Sequence, residues 1–159
     1  RAEALAPWLP SEGRILDLGA GAMRLRSYIA DPDDYVPVDL LPWAEDTYVM
    51  DLNAQTPLPS GSFAVAVLAN VLEYVHDVPK LLERVRACAE NVIVSYPTVE
   101  AVGLRTTREA RGYFNHYGRK EITELLSQAG FEICHAFERG ESLYFQLKLQ
   151  TVADLAAAS

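Results

Sequence analysis

The chain has 159 residues, half of them apolar, and its 14 Lys and Arg against 22 Asp and Glu leave a formal charge of −8. That length suits one domain, residues 1–159, with a core that needs neither disulfides nor metals, and the acidic balance repels phosphate backbones, which argues against a nucleic-acid partner. No apolar run approaches the roughly 20 residues that cross a bilayer and no charged-then-apolar leader opens the chain. A cytoplasmic protein with no membrane partner is therefore expected, with the true N-terminus left open because the sequence starts at Arg1. The two cysteines, Cys88 and Cys134, sit in apolar-periodic segments and read as buried thiols. His76, His116 and His135 are too scattered to nominate a metal site.

Residues 2–9 place Leu5, Trp8 and Leu9 on one side of a helical period and run into Pro10, which predicts a short lead-in helix over one edge of the core. Residues 14–24, Arg-Ile-Leu-Asp-Leu-Gly-Ala-Gly-Ala-Met-Arg, are the stretch around which the chain is organised. Ile15 and Leu18 suit a buried parallel strand, while Gly19 and Gly21 permit positive φ and close approach of a ligand to backbone. A helix over 23–30, ended by Asp31-Pro32, should turn its first amides towards that ligand. A dinucleotide fingerprint wants glycine at the first, third and sixth positions, and the sixth from Gly19 is Arg24, which disfavours pyrophosphate. The plain alternative is a structural strand-to-helix turn.

Leu-Asp-Leu-Gly-Ala-Gly, with Asp17 two residues before Gly19, closely resembles motif I of the class I S-adenosylmethionine-dependent methyltransferases, which usually carry a third glycine where this chain has Met23. The resemblance implies a cofactor site bordered by Asp17, Gly19, Ala20 and Gly21. Residues 35–39 form the second strand candidate and end in Asp39, roughly 20 residues after the glycine turn, where an α/β nucleoside site wants a carboxylate for the ribose diol. A solvated strand-end Asp is the bland reading. The connection over 40–46 is too short for a long crossover helix. Residues 48–52 form a third strand with another terminal acid. By the same resemblance Asp51 meets the adenine amino group, an acceptor facing a donor, and Leu52, like Leu40 after Asp39, packs on the nucleoside.

The turn Leu-Pro-Ser-Gly-Ser-Phe at 58–63 feeds an uninterrupted apolar run at 64–69, suited to a central strand. Together with Asn-Val-Leu-Glu-Tyr-Val-His-Asp at 70–77 it resembles the family's fourth motif region, which adds Asn70 to the cofactor set; Ala64 stands for a common Asp and Tyr74 for a frequent His. Asp77 caps a crossover helix carrying Val78, Leu81, Leu82, Val85 and Cys88, and a fifth strand follows at 91–97. Its Ile-Val-Ser-Tyr-Pro ending is similar to small bacterial methyltransferase-like proteins of the methionine-biosynthesis W type.

Residues 98–117 lack a clear core period and follow a strand, where α/β enzymes place substrate loops. Arg105, Arg108 and Arg111 lie three apart; on a helix they make one basic stripe for an anionic acceptor, or a solvated face paired to nearby acids. Tyr113 and His116 join them as substrate candidates, with Phe114 and Tyr117 as further aromatic wall or anchor. Ile122, Leu125, Leu126 and Ala129 define a helix capped at Gly130, residues 131–137 a sixth strand, and Leu143, Phe145, Leu147 and Leu149 a half-buried strand at or near an edge. The resemblance places that last strand antiparallel, after a hairpin at 138–141. Residues 151–159 read as a short tail.

The expected fold is α/β: a Rossmann-like, doubly wound, mostly parallel sheet with an antiparallel last strand. The resemblance implies transfer of a methyl group from S-adenosylmethionine to a small-molecule substrate, with S-adenosylhomocysteine as product. Glu73, Tyr74, His76, Tyr96 and His116 are the candidates for acid, base or pocket chemistry. A non-catalytic methyltransferase-like binding or regulatory protein is the rival, a protein partner stays open, and an NAD-binding domain is the remaining alternative. The sequence names neither the acceptor atom nor the oligomeric state.

Overall fold

The apolar runs become the middle of a sheet. In the computed structural model, which describes residues 1–150, the strands are β1 (Ile15–Leu18), β2 (Tyr35–Asp39), β3 (Tyr48–Val49), β4 (Val65–Ala69), β5 (Asn91–Pro97), β6 (Phe131–Arg139) and β7 (Ser142–Leu149). The helices are α1 (Ala2–Leu5), α2 (Val78–Arg86), α3 (Val99–Val102), α4 (Arg105–Ala110) and α5 (Arg119–Gln128). The strands form one sheet in the order β3-β2-β1-β4-β5-β7-β6. β1 to β5 pair in parallel, whereas β7 pairs antiparallel with both β5 and β6. The tail expected at 151–159 lies outside the described residues.

Two apolar layers explain the residue pattern. On one face Leu16, Leu18, Leu68 and Val94 meet Leu82 of α2 and Leu126 of α5; on the other Ile15, Val65, Val67 and Ile93 meet Leu5 of α1 and Met23. β4 is covered on both sides, so its sequence shows an unbroken apolar run rather than alternation. Asp77 caps α2 by accepting from Lys80 N–H at 3.1 Å, with Pro79 tolerated in the first turn, where its missing N–H is no loss.

Three expectations are corrected. The helix over 23–30 does not form: residues 21–25 make turns and Arg26–Tyr28 a single 3-10 turn. Met23 sits at φ 53°, a left-handed conformation that no α-helix continues through, and Met23 and Leu25 bury directly against the sheet instead. The last strand lies one in from the edge strand β6, within the expected position at or near an edge, but it is more than half-buried. β7 lies inside, with Tyr144 as buried as Leu143 and Phe145, because Tyr144 stacks on Phe137 of β6 at 4.9 Å between ring centroids. The cysteines are not buried: Cys134 is exposed on the edge strand β6 and Cys88 is half-buried after α2.

Candidate functional site

The strand order reverses between β1 and β4. β1 is flanked by β2 on one side and β4 on the other, so the loops at their carboxyl ends part and leave a crevice, the usual ligand position in such sheets. A cavity of about 430 Å³ opens there, lined by Gly19, Asp39, Leu40, Asp51, Leu52 and Asn70. Its volume lies in the range of small-molecule sites, roughly 300 to 1,000 Å³. Six of the nine residues expected to hold a cofactor therefore converge on one cavity, from four strand ends. Tyr74, Gly112 and Phe114 border it as well.

Gly19 is required by space as well as by backbone. At φ 76° a Cβ would stand 2.5 Å from Cγ2 of Val71, so any side chain would push the loop after β4 away from the loop after β1. The amides of the turn are engaged within the protein. Gly19 and Ala20 N–H donate to the Val38 carbonyl at 2.8 and 3.0 Å, and Gly21 N–H donates to Asp39 Oδ2 at 2.8 Å. With no helix behind them, the expectation that helix-start amides face a ligand is not met; the turn folds onto β2.

Asp39 holds the centre of this arrangement. Its Oδ1 accepts from Leu41 N–H and Trp43 Nε1–H, both at 3.1 Å, which together with the Gly21 bond uses three of about four acceptor positions on a carboxylate. Asp17 does not line the cavity. It is 2 % exposed, accepts from the Tyr35 hydroxyl at 2.5 Å, and burial pushes its carboxyl up to about 6 despite that bond, with the Asp39 charge adding to the rise. Asp17 thus braces β1 against β2 beneath the turn. The sequence offers no signal for Tyr35 as its partner.

The acids and amides after β3 and β4 are fixed locally. Asp51 Oδ1 accepts from Asn53 N–H at 2.8 Å, and Asn53 in turn joins the Tyr74 carbonyl at 3.1 Å and His76 N–H at 2.8 Å. Asn53 therefore ties the two loops together, a role missed in the sequence because its partners lie more than 20 positions away. Asn70 adopts φ 54° and is pinned by Ser95 Oγ–H at 2.5 Å and Ser142 Oγ at 3.0 Å, which suits a left-handed Asn at a strand end.

Residues 98–117 pack differently from the expected stripe. Arg105 is exposed and paired with Glu109 at 2.7 Å, and Arg111 is paired with Glu141 at 2.6 Å. Arg108, between them, is fully buried: its guanidinium donates to the Pro97 carbonyl at 2.5 Å, the Tyr96 hydroxyl at 3.0 Å, the Asn115 carbonyl at 3.4 Å and His116 Nδ1 at 3.3 Å. The three arginines do not share one face. Tyr96, also buried, donates to Asn115 Oδ1 at 2.6 Å and is pushed up to about 12 by burial; it serves the same lock rather than the cavity. Burial and the neighbouring Arg105 and Arg108 charges hold His116 below its ordinary value. Tyr113 packs edge-on against Tyr74 at 5.4 Å. Phe114 lines the cavity and His76, outside its lining, packs on it with the rings tilted by 31° at 4.0 Å between centroids.

Glu73 is the least expected group. It is 1 % exposed, Oε2 has no hydrogen-bond partner among the described residues, and burial pushes it up to about 7.

A methyltransferase-domain family model matches residues 1–136. None of the curated proteins matches the chain. Among solved structures, an S-adenosylmethionine-dependent methyltransferase from Mesorhizobium loti is 21 % identical over 93 % of this chain and 98 % of its own, with a TM-score of 0.76. A chain of the Haloferax volcanii complex between the Trm112 methyltransferase activator and a methyltransferase is 14 % identical over 94 % and 88 %, TM-score 0.76. An O-methyltransferase of neocarzinostatin biosynthesis, in complex with S-adenosylmethionine and 2-hydroxy-5-methyl naphthoic acid, is 18 % identical over 92 % of this chain and 52 % of its own, TM-score 0.69. At these identities the likeness to solved structures is one of fold.

Proposed function

The chain belongs to the methyltransferase-domain family, and from that premise we propose that the cleft between β1 and β4 binds S-adenosylmethionine and that the protein transfers its methyl group to a small-molecule acceptor. One observation supports this most: Gly19, Asp39, Asp51 and Asn70, far apart in sequence, line a single cavity of about 430 Å³. The residues fit the cofactor by chemistry. Asp39 has one acceptor position left for a ribose hydroxyl, Asp51 offers carboxylate oxygen to an adenine amine, and Leu40 and Leu52 supply apolar contact for the ring.

The bound cofactor supplies an electrophilic methyl on a sulfonium whose charge disappears on transfer. The protein's share is to align the acceptor with that methyl and to keep water out. The opening bordered by Tyr74, Gly112 and Phe114 is the route we assign to the acceptor. A second reading, a module that binds without turnover, is favoured by the engaged amides of Gly19, Ala20 and Gly21 and by the missing helix behind them. Beside the cleft, Leu41, Trp43, Tyr48 and Val49 are exposed, an apolar surface of the kind that marks interaction sites and that supports a protein partner.

Binding is tested by thermal unfolding. S-adenosylhomocysteine at a hundredfold its Kd should stabilise the protein by about 2.7 kcal/mol, and NAD should leave the Tm unchanged. A shift with NAD and none with S-adenosylhomocysteine overturns the assignment. Radiolabelled methyl transfer to a metabolite extract then separates the catalytic reading from the binding one.

A further inference from the structure

The opening of the cleft is walled by rings that are fixed in place and left partly bare. Tyr74, in the loop after β4, and Phe114, after α4, both line the cavity, and they stay 42 % and 55 % exposed. Neither is loose. The Tyr74 carbonyl accepts from Asn53 Nδ2–H at 3.1 Å, and its ring meets Tyr113 edge-on at 5.4 Å between centroids. Phe114 N–H donates to the Glu73 carbonyl at 2.8 Å, which ties the two loops together, and its ring is packed by His76. Gly112 lines the cavity beside them and brings no side chain into the opening. Ring surface held against water gains when a ligand covers it, and another ring covers it best, because stacking adds to the burial.

The charges around the opening narrow the choice. Among the described residues that line the cavity the charged ones are Asp39 and Asp51, and no lysine, arginine or histidine joins them. Both acids stand at the nucleoside end of the cofactor reading. Arg111 comes close enough for its charge to act on Tyr74, but its two terminal nitrogens meet Glu141 at 2.6 and 3.2 Å. Arg1 acts on Tyr74 from outside the lining. An anionic acceptor would leave water without a lining cation to receive it, and a cationic one would approach a sulfonium that already carries positive charge. An uncharged acceptor meets neither cost. Resting on the methyltransferase reading, we propose that the acceptor is a flat, uncharged aromatic molecule whose ring is covered by Tyr74 and Phe114. The two side chains then determine specificity, by the shape of the gap between them and by stacking.

The test uses the protein loaded with sinefungin, an S-adenosylmethionine analogue with an ammonium where the methyl sulfonium stands. Four probes are titrated calorimetrically: 4-ethylphenol, its saturated counterpart 4-ethylcyclohexanol, the cation tyramine and the anion 4-hydroxyphenylacetate. 4-Ethylphenol should bind at least about fivefold more tightly than 4-ethylcyclohexanol, the size of a stacking contribution, and at least about tenfold more tightly than either charged probe. Replacing both rings, Tyr74→Leu with Phe114→Leu, should bring the two neutral probes within about twofold of each other, with sinefungin still bound as the sign that the variant folds. The probe series on the unmodified protein tests the proposal whether or not the variant folds. A charged or saturated probe that binds as tightly as 4-ethylphenol overturns it, as does a site that takes none of the four, or an unchanged ring preference in the double variant. Failure of sinefungin to bind the unmodified protein overturns the cofactor reading instead, which is a different result.

Discussion

Asp39 shows how one side chain joins local structure to ligand recognition. It holds Gly21, Leu41 and Trp43 in place and has one acceptor position left. Asp39→Ala should therefore weaken S-adenosylhomocysteine binding by roughly 1.5 to 3 kcal/mol, measured by calorimetry, while the fold survives; unchanged affinity would mean the ribose is held elsewhere. The buried acids control stability against pH. Burial raises Asp17 from 3.8 to about 6 and Glu73 from 4.5 to about 7. The folded chain keeps these protons where the unfolded chain has lost them, so this contribution to stability is full below about pH 4 and is lost as pH rises to about 7. Glu73→Gln should flatten the upper part of that fall and stabilise the protein at pH 8 by on the order of 2 kcal/mol. Urea unfolding from pH 5 to pH 8 reads this directly, and parallel curves for the two proteins would contradict it.

Among the elements, β4, β5 and α2 were legible in the sequence for a physical reason. Strands buried on both faces must be apolar throughout, and α2 carries its cap and its apolar period within its own residues. Residues 23–30 were not legible, because the left-handed turn at Met23 depends on how Met23 and Leu25 pack on the sheet and leaves no local mark. The arginines fail for a similar cause. Spacing by three fits a solvated stripe as well as it fits one buried guanidinium, and the Arg108 partners Pro97 and Asn115 lie outside the helix. Gly19, Asp39, Asp51 and Asn70 could be named as candidates because they follow or end strands, whereas Asn53 gains its place from contacts across loops. Arg108→Ala should thus destabilise the protein by about 3 kcal/mol, since it orphans several buried acceptors. Arg105→Ala, which removes one exposed pair, should stay within about 0.5 kcal/mol. Denaturant midpoints for the two variants decide this; equal effects would restore the stripe.

For the whole molecule, the sheet is closed by a strand that arrives out of order. β5 ends at Pro97 and its neighbour β7 starts only at Ser142, with the edge strand β6 made in between. During synthesis the ribosome therefore releases five parallel strands with an open flank, and that flank is β5, whose residues Val92 to Tyr96 are all buried in the finished protein. An apolar strand with unpaired backbone is a template for joining other chains. The nascent protein should need a holding chaperone until the hairpin folds back, and a chain stopped at Gly130 should accumulate in inclusion bodies while the full chain stays in the supernatant. Equal solubility of the two on expression would show that β5 is shielded in some other way before β7 is made.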